Sequence, residues 1–192
     1  KFNIFDLNKI KYLPDPILNI DEIKKKSLEK KIIENELSIS NTIISIGRLT
    51  NQKNFSFLIK AFSEIHKKYP RFNLVILGEG EEKKRLKQNI KKLNLESKIF
   101  LLGYKKNIYT YLKNSNIFIL TSNWEDPGFV LIEAGYMNKK ILSSDCPNGP
   151  KEILENGKNG FLFKANSLED FLEKFDEIEN SEKSILFNKQ VA

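Results

Sequence analysis

Residues 42–77 read TIISIGRLTNQKNFSFLIKAFSEIHKKYPRFNLVIL, and their pattern of apolar residues predicts the first unit of the fold. It begins with an apolar run over residues 42–46 and ends with another over residues 72–77. Between them, apolar residues recur at helical spacing before Tyr69 and Pro70 end the pattern; they are Phe55, Leu58, Ile59, Phe62 and Ile65. A buried strand, a helix and a second buried strand in this order predict a β-α-β unit of a parallel sheet.

The same alternation continues to about residue 180. Four more short apolar runs predict strands at 99–102, 117–120, 140–143 and 160–163. Helical patterns separate them: the helix after the second strand has Leu86, Ile90 and Leu93 on its inner side, and Ser167 with Asp170 forms an S-x-x-D capping box for the last helix. The sequence therefore predicts an α/β fold, a Rossmann-like parallel sheet of about six strands with helices on both faces.

The composition is that of one globular domain. Of the 192 residues, 40% are hydrophobic and 30% are charged, which excludes a chain that is disordered throughout. The single cysteine, Cys146, cannot form an internal disulfide, and no Cys/His cluster predicts a zinc site. The sequence has no apolar run of membrane-spanning length and no signal-peptide pattern, so we expect the chain in the cytoplasm.

The net charge of +7 predicts a partner that is anionic: nucleic acid, a membrane surface or a phosphorylated small molecule. Lysine supplies most of this charge, with arginine only at Arg48, Arg71 and Arg85, whereas nucleic-acid readers rely on arginine for base contacts. We therefore expect no nucleic-acid partner. The basic runs at 24–26 and 83–85 are interpreted as solvated helix faces, with peripheral contact at the inner face of the membrane as the alternative.

Ligands of an open parallel sheet bind beyond the carboxyl ends of the strands, so the strand-to-helix loops are the places to search. The loop after the first predicted strand contains Arg48 and Lys53, which could clamp a diphosphate or could be two surface cations. The loop after the second strand contains Gly78-Glu79-Gly80. It fails the G-x-G-x-x-G dinucleotide fingerprint, because Lys83 stands where the third glycine belongs.

The loop after the fourth predicted strand carries two glutamates, Glu125 and Glu133, with Gly128 between them at the start of a helix. We expect Glu125 at the mouth of the loop and Glu133 on the first turns of the helix. There the Glu133 carboxylate can accept hydrogen bonds from two neighbouring hydroxyls, which suits a sugar. Ordinary solvation of two carboxylates is the alternative.

Taken together, these segments resemble the C-terminal, donor-binding domain of the family-4, GT-B-fold retaining glycosyltransferases. The segments that match in order and spacing are SIGRL at 45–49, KNF at 53–55, LVILGEG at 74–80, GY at 103–104, WE at 124–125, LIEA at 131–134, DCPNGPKEIL at 145–154 and NGFL at 159–162. The resemblance implies three parts: a linker remnant of an N-terminal acceptor domain at 1–13, a nucleotide-sugar-binding domain at 14–180 and a tail at 181–192.

The resemblance also implies a role for each candidate residue. Arg48, Lys53 and Glu125 are the catalytic candidates: the two cations hold the donor diphosphate, and Glu125 faces the donor sugar. Glu133, the other end of an E-x7-E motif, faces the nucleotide ribose. The remaining candidates bind the donor through the backbone or through an aromatic ring: Gly47, Gly103, Tyr104, Gly128, Phe129, Val130 and Leu131. Of these, Gly103 and Tyr104 lie against the uracil, and the backbone amides of 128–131 cover the sugar and the phosphates.

The implied activity is transfer of a hexose from a UDP-sugar to a hydroxyl of a surface glycan or lipid-linked saccharide, with retention of configuration. The UDP-sugar is a substrate, and we expect no further cofactor and no metal, because the sequence has no D-x-D pair. Positions 126–129 read DPGF where most members of the family have EGFG or EGFP, which leaves the donor sugar open. The alternatives are a nucleotide-sugar-binding module without turnover and a basic nucleic-acid-binding domain.

Overall fold

The computed structural model describes residues 18–29 and 41–181 of the chain. Within these ranges the strands are β1 (Thr42–Ile46), β2 (Asn73–Leu77), β3 (Ile99–Gly103), β4 (Ile117–Leu120), β5 (Lys140–Ser144) and β6 (Phe161–Phe163). They form one six-stranded sheet in the order β3-β2-β1-β4-β5-β6, and every adjacent pair is parallel. The predicted six-stranded parallel sheet is thus confirmed. Its order reverses between β1 and β4, where doubly wound sheets bind their ligands.

Helices cover both faces of the sheet, as predicted. The α-helices in the described ranges are α1 (Ile20–Ser27), α2 (Phe55–Lys68), α3 (Lys83–Lys92), α4 (Tyr109–Lys113), α5 (Phe129–Tyr136), α6 (Pro150–Ile153) and α7 (Leu168–Asn180), with a 3-10 turn at Glu155–Gly157. Helices α2, α3 and α7 pack against one face, and α4, α5 and the end of α6 pack against the other. The two apolar layers explain why the strands are continuous apolar runs.

Strand β4 illustrates this burial on both faces. Ile117 and Ile119 point into the layer beneath α2 and α7, whereas Phe118 and Leu120 point into the layer beneath α4 and α5. Successive side chains of a strand alternate between faces, so a strand covered on both sides must be apolar at every position. All four residues are at most 2% exposed.

One helix assignment of the sequence analysis is wrong in detail. Leu93 was expected on the inner side of α3, but it is 41% exposed, because the helix ends at Lys92 and the chain turns there. Leu95 enters the core instead and is 6% exposed. The prediction for Leu93 is wrong because it extends the helical pattern one residue past the end of α3.

Helix α1 docks on the start of α4. The backbone oxygen of Lys26 accepts hydrogen bonds from Asn107 Nδ2 at 2.9 Å and from Thr110 Oγ1 at 3.2 Å. This contact fixes α1 against the layer that contains α4 and α5. The predicted linker at 1–13 and the predicted tail, apart from its first residue, lie outside the described residues.

Candidate functional site

The loops that follow β1 and β2 stay paired with each other and with the end of β3 beyond the strands. Leu49 N donates to Glu79 O at 2.8 Å, and Gly78 N donates to Gly103 O at 2.9 Å. Gly78 has a φ of +148°, and a Cβ there would lie 1.8 Å from the backbone oxygen of Gly47. Only glycine permits this approach, so these three segments form one continuous floor at the carboxyl edge of the sheet. Gly47 and Gly103 are both part of it, close to where the sequence placed them.

A cleft of about 390 Å³ opens on this floor, with Gly47, Arg48 and Tyr104 among the residues that line it. Arg48 is exposed, and its guanidinium has no ion pair or hydrogen bond within the described part of the chain. Tyr104 is 74% exposed. A cation that is free to bind an anion beside an aromatic face that is free to stack matches what a phosphorylated ring compound requires.

A buried ion pair joins the loop after β1 to the loop after β4. Lys53 Nζ lies 2.6 Å from Glu125 Oε1 and 2.7 Å from Glu125 Oε2. The Glu125 side chain is 3% exposed and the Lys53 side chain 14%. The hydroxyl of Ser122 also donates to Glu125 Oε1. A Cβ at Gly47 would lie 3.1 Å from three carbons of the Lys53 side chain, so glycine there makes room for the lysine to reach the carboxylate.

This arrangement corrects the expectation that Glu125 lies at an open loop mouth. The loop is drawn inward by backbone contacts on both sides: Asn123 N donates to Gln52 O at 2.8 Å, and Glu125 N donates to Pro147 O at 3.0 Å. Gln52 Nε2 adds a hydrogen bond to Trp124 O at 3.1 Å. The turn therefore buries the carboxylate beside Lys53 and leaves the neighbouring Trp124 ring 46% exposed at the rim.

Helix α5 begins directly next to this ion pair. Its N-cap residue Gly128 has a φ of +92°, and a Cβ there would lie 3.3 Å from Glu125 Cγ. No side chain of the described residues caps the helix, and the amides of Gly128, Phe129 and Val130 have no backbone acceptor there. Uncapped amides at a helix N-terminus favour an anion. The amide of Leu131 was predicted to face the donor, but it donates to Gly128 O at 3.0 Å because the first turn is tight.

Glu133 lies one turn further along α5 and is half-buried. Tyr109 Oη donates to Glu133 Oε1 at 2.8 Å. Burial raises the pKa of the Glu133 carboxyl, while the Tyr109 hydrogen bond and the Lys26 ammonium act in the opposite direction. Burial, followed by the bond to Glu133, raises the pKa of Tyr109. Within the described residues, Oε2 of Glu133 accepts no hydrogen bond, so one carboxylate oxygen is left for a ligand hydroxyl.

Two residues of this arrangement were missed by the sequence analysis. Ser122 orients the Glu125 carboxylate, and its only sequence signal was its place three residues upstream in the same loop. Tyr109 orients Glu133 from a different helix, 24 positions away, and no local pattern links the two. Tyr109 could be identified only because the structure brings α4 against α5.

The described residues contain neither a metal-binding cluster nor a membrane-spanning helix. No group of three or more His, Cys, Asp or Glu side chains in residues 18–29 and 41–181 is arranged to hold a metal ion. No helix within those ranges combines the length and the apolar composition needed to cross a membrane.

The chain matches known proteins over most of its length. The model of the family described as "Glycosyl transferases group 1" matches residues 26–189. An uncharacterized glycosyltransferase of Methanocaldococcus jannaschii is 43% identical over 149 residues, which are 77% of this chain and 36% of that protein. The Campylobacter jejuni N-acetylgalactosamine-N,N'-diacetylbacillosaminyl-diphospho-undecaprenol 4-alpha-N-acetylgalactosaminyltransferase is 32% identical over 150 residues, 78% of this chain and 39% of that protein. The chain thus spans well under half the length of both relatives.

A similar fold is found among solved structures. A variant of Staphylococcus aureus TarM, crystallised with fondaparinux, alpha-GlcNAc-glycerol and UDP, superposes with a TM-score of 0.72 at 25% identity. The match covers 80% of this chain and 31% of that one. This structural similarity agrees with the Rossmann-like sheet described above.

Proposed function

The chain belongs to the glycosyl transferases group 1 family, and we propose that it supplies the nucleotide-sugar-binding half of a glycosyltransferase. On this proposal, the donor is a UDP-sugar and the transferred group is a hexose or a hexose derivative, moved with retention of configuration. The acceptor is a hydroxyl of a glycan or a lipid-linked saccharide. UDP in the TarM crystal structure and the lipid-linked saccharide in the name of the C. jejuni relative support the two substrate classes.

The observation that carries the proposal is the convergence of two loops where the strand order reverses. The loop after β1 brings Arg48 and Lys53 to the same edge at which the loop after β4 presents Glu125 and the uncapped start of α5. Two cations and a helix N-terminus suit a diphosphate, because each can compensate part of its negative charge. A carboxylate beside them suits a sugar hydroxyl.

We assign the parts of the donor to the parts of the site as follows. The diphosphate lies between the Arg48 guanidinium and the free amides of α5, with Lys53 on its inner side. The uracil stacks against Tyr104, and the ribose donates to the free oxygen of Glu133. As the bond to the sugar breaks, negative charge grows on the departing UDP, and the cations that already face it lower the barrier. The proposal includes no metal ion in this step.

The acceptor site, on this proposal, is contributed by residues outside 14–180. Transfer requires an oriented acceptor hydroxyl and the exclusion of water from the sugar. The cleft on the carboxyl edge is open, and the relatives extend well beyond the matched segment. Residues 14–180 on their own would then bind the donor without transferring the sugar.

The test is a thermal-shift comparison of the chain with UDP, ADP, GDP and a set of UDP-sugars. A ligand at a hundred times its Kd stabilises the native state by about 2.7 kcal/mol, which raises the Tm of a chain of this size by about 5–10 °C. We expect the largest shift with UDP or a UDP-sugar, and a much smaller one for Arg48→Ala. Arg85→Ala is the matched control, because Arg85 lies on α3 and does not line the cleft.

Equal shifts with all three nucleotides, or none with any, would contradict the UDP assignment. Turnover is tested separately, by following transfer of labelled sugar to a lipid-linked acceptor with this chain and with a longer protein that includes an acceptor domain. Sugar transfer by residues 1–192 alone would place an acceptor site inside this domain.

A further inference from the structure

Three asparagine side chains from three different loops meet beside the buried ion pair. Asn54 lies between β1 and α2, Asn123 between β4 and α5, and Asn166 between β6 and α7. Asn54 Nδ2 donates to Asn166 Oδ1 at 2.7 Å and to Asn123 Oδ1 at 3.3 Å, and Asn166 Nδ2 donates to Asn123 Oδ1 at 3.1 Å. We call these residues the asparagine triad. Each member is bonded to the other two, so the triad ties together three loops that are far apart in the sequence.

Further hydrogen bonds connect the triad to the backbone around Lys53. Asn123 Nδ2 donates to Asn51 O at 2.8 Å, and Asn123 N donates to Gln52 O at 2.8 Å. Thr121 Oγ1 donates to the backbone oxygen of Lys53 at 3.1 Å and to that of the following residue at 3.3 Å. The backbone before and after Lys53 is therefore bonded to the segment of the β4 loop that leads into its carboxylate partner.

Asn166 is not needed to start the helix that follows it. Ser167 Oγ accepts from Asp170 N at 3.3 Å at the start of α7, and the Asp170 carboxylate accepts from Lys164 N at 2.5 Å. These bonds cap the helix and close the turn before it without Asn166. The Asn166 side chain reaches instead to the loops after β1 and β4, where both of its hydrogen bonds lie. Its role therefore concerns those two loops.

The backbone at two triad positions allows the side-chain bonds to be tested by themselves. Asn54 has a φ of +50° and Asn166 a φ of +64°, both in the left-handed region. Glycine adopts this region more easily than any residue with a side chain. Replacing either asparagine by glycine therefore keeps the backbone conformation and removes the amide hydrogen bonds.

We propose that the asparagine triad positions Lys53 and Glu125 for the sugar end of the donor, and that Asn166 is a positioning residue that acts through the triad. This inference rests on the proposed function, in which Lys53 donates to a phosphate and Glu125 accepts from a sugar hydroxyl. Both contacts require the two loops at a fixed spacing. Loops that are held at this spacing before the donor arrives lose less conformational freedom when it binds.

The test is calorimetry of UDP, and of the UDP-sugar that gives the largest thermal shift, with the wild type and with Asn166→Gly. The variant should bind the UDP-sugar about fivefold more weakly, the effect of about one hydrogen bond, because the sugar contact depends on the spacing of the two loops. UDP alone should bind within about twofold of the wild type, since the exposed Arg48 guanidinium still reaches the diphosphate.

The matched control is Asn94→Gly. Asn94 also has a positive φ, of +54°, and is exposed, but its side chain makes no hydrogen bond within residues 18–29 and 41–181. The same exchange there should leave both affinities as in the wild type. Asn54→Gly tests the triad from a second member. Because Asn54 and Asn166 share a bond of 2.7 Å, the double variant should weaken UDP-sugar binding by less than the product of the two single effects.

The fluorescence of Trp124 reports on the same loop without any donor. Trp124 is the only tryptophan of the chain and stands between Asn123 and Glu125, with its ring 46% exposed. If the triad holds this loop, time-resolved anisotropy should show a larger nanosecond motion of Trp124 in Asn166→Gly than in the wild type or in Asn94→Gly. The measurement is made at a temperature at which circular dichroism shows all three proteins to be folded.

Four results would overturn the inference: a UDP-sugar affinity of Asn166→Gly equal to that of the wild type, an equal loss in Asn94→Gly, equal weakening of UDP and the UDP-sugar, or unchanged motion of Trp124. A lower Tm of Asn166→Gly with unchanged affinities would show that the triad only stabilises the fold. A wild-type chain that binds neither UDP nor a UDP-sugar would instead refute the proposed function. Normal binding by the wild type with no effect of the variant refutes the positioning role alone.

Discussion

Replacing Lys53 by methionine should destabilise the chain by about 3 kcal/mol. Glu125 is 3% exposed and accepts from Lys53 with both oxygens, so the variant leaves a buried carboxylate with the Ser122 hydroxyl as its remaining partner among the described residues. Removing one partner of a buried ion pair costs about 3–5 kcal/mol. We take the lower end, because Lys53 is 14% exposed and water can reach the vacated position. The Tm should fall by about 6–12 °C.

A double-mutant cycle separates the ion pair from simple loss of packing. Urea denaturation is measured for the wild type, for Lys53→Met, for Glu125→Leu and for the double variant. The double variant removes both charges and should recover about 2 kcal/mol relative to the sum of the single changes. Arg48→Met is the matched control, since Arg48 is exposed in the same loop, and its free energy of unfolding should change by less than about 0.5 kcal/mol.

Two results would refute this reasoning. If Lys53→Met unfolds within about 0.5 kcal/mol of the wild type, the carboxylate is not buried against the ammonium in solution. If the effects of the two single changes simply add, the side chains contribute independently and the hydrogen-bonded pair is not the source of the stability.

Three further predictions follow from the same contacts. Arg48→Ala should weaken UDP binding about tenfold without changing the ligand-free Tm, as measured by calorimetry and thermal unfolding. Tyr109→Phe removes a hydrogen bond that lowers the pKa of Glu133, so this pKa should rise further. Because ribose binding needs the ionised carboxylate, lowering the pH should weaken UDP binding at a higher pH in the variant than in the wild type. Identical pH profiles of UDP affinity would exclude the contact. Gly78→Ala should lower the free energy of unfolding, measured by urea denaturation, by about 3 kcal/mol or more, since its Cβ would lie 1.8 Å from a backbone oxygen. Gly157 also has a positive φ, but a Cβ there would have nothing within 4 Å, so Gly157→Ala should lower the same free energy by about 1 kcal/mol.

The strands could be predicted because their signal is local. The run at 117–120 is apolar at every position, and β4 has those bounds. The run at 72–77 gave β2 to within one residue, since Phe72 is buried just before the strand begins. The capping box at the start of α7 is half confirmed: Ser167 Oγ accepts from Asp170 N at 3.3 Å, but the Asp170 carboxylate accepts from Lys164 N at 2.5 Å rather than from the cap residue.

The candidate site could be predicted only as a set of loops. Lys53 and Glu125 are 72 positions apart, and their contact depends on β1 and β4 being neighbours in the sheet, which no local pattern encodes. The sequence therefore placed both residues at the correct edge and assigned both to the donor, but it did not predict that they pair with each other. The Tyr109–Glu133 bond was missed for the same reason, since it joins two helices of one layer.

The hydrogen bonds of Glu125 indicate different roles for Lys53 and Arg48. A carboxylate has about four lone-pair sites, and here two accept from Lys53 and a third from Ser122, which leaves one for a sugar hydroxyl. An ammonium has three N–H donors, so Lys53 keeps one for a phosphate oxygen while most of its charge compensates Glu125. Arg48 has no such partner among the described residues and can offer its whole charge to the diphosphate. On the proposed function, Arg48 therefore supplies most of the affinity for the nucleotide, while Lys53 couples the phosphate to the carboxylate that holds the sugar.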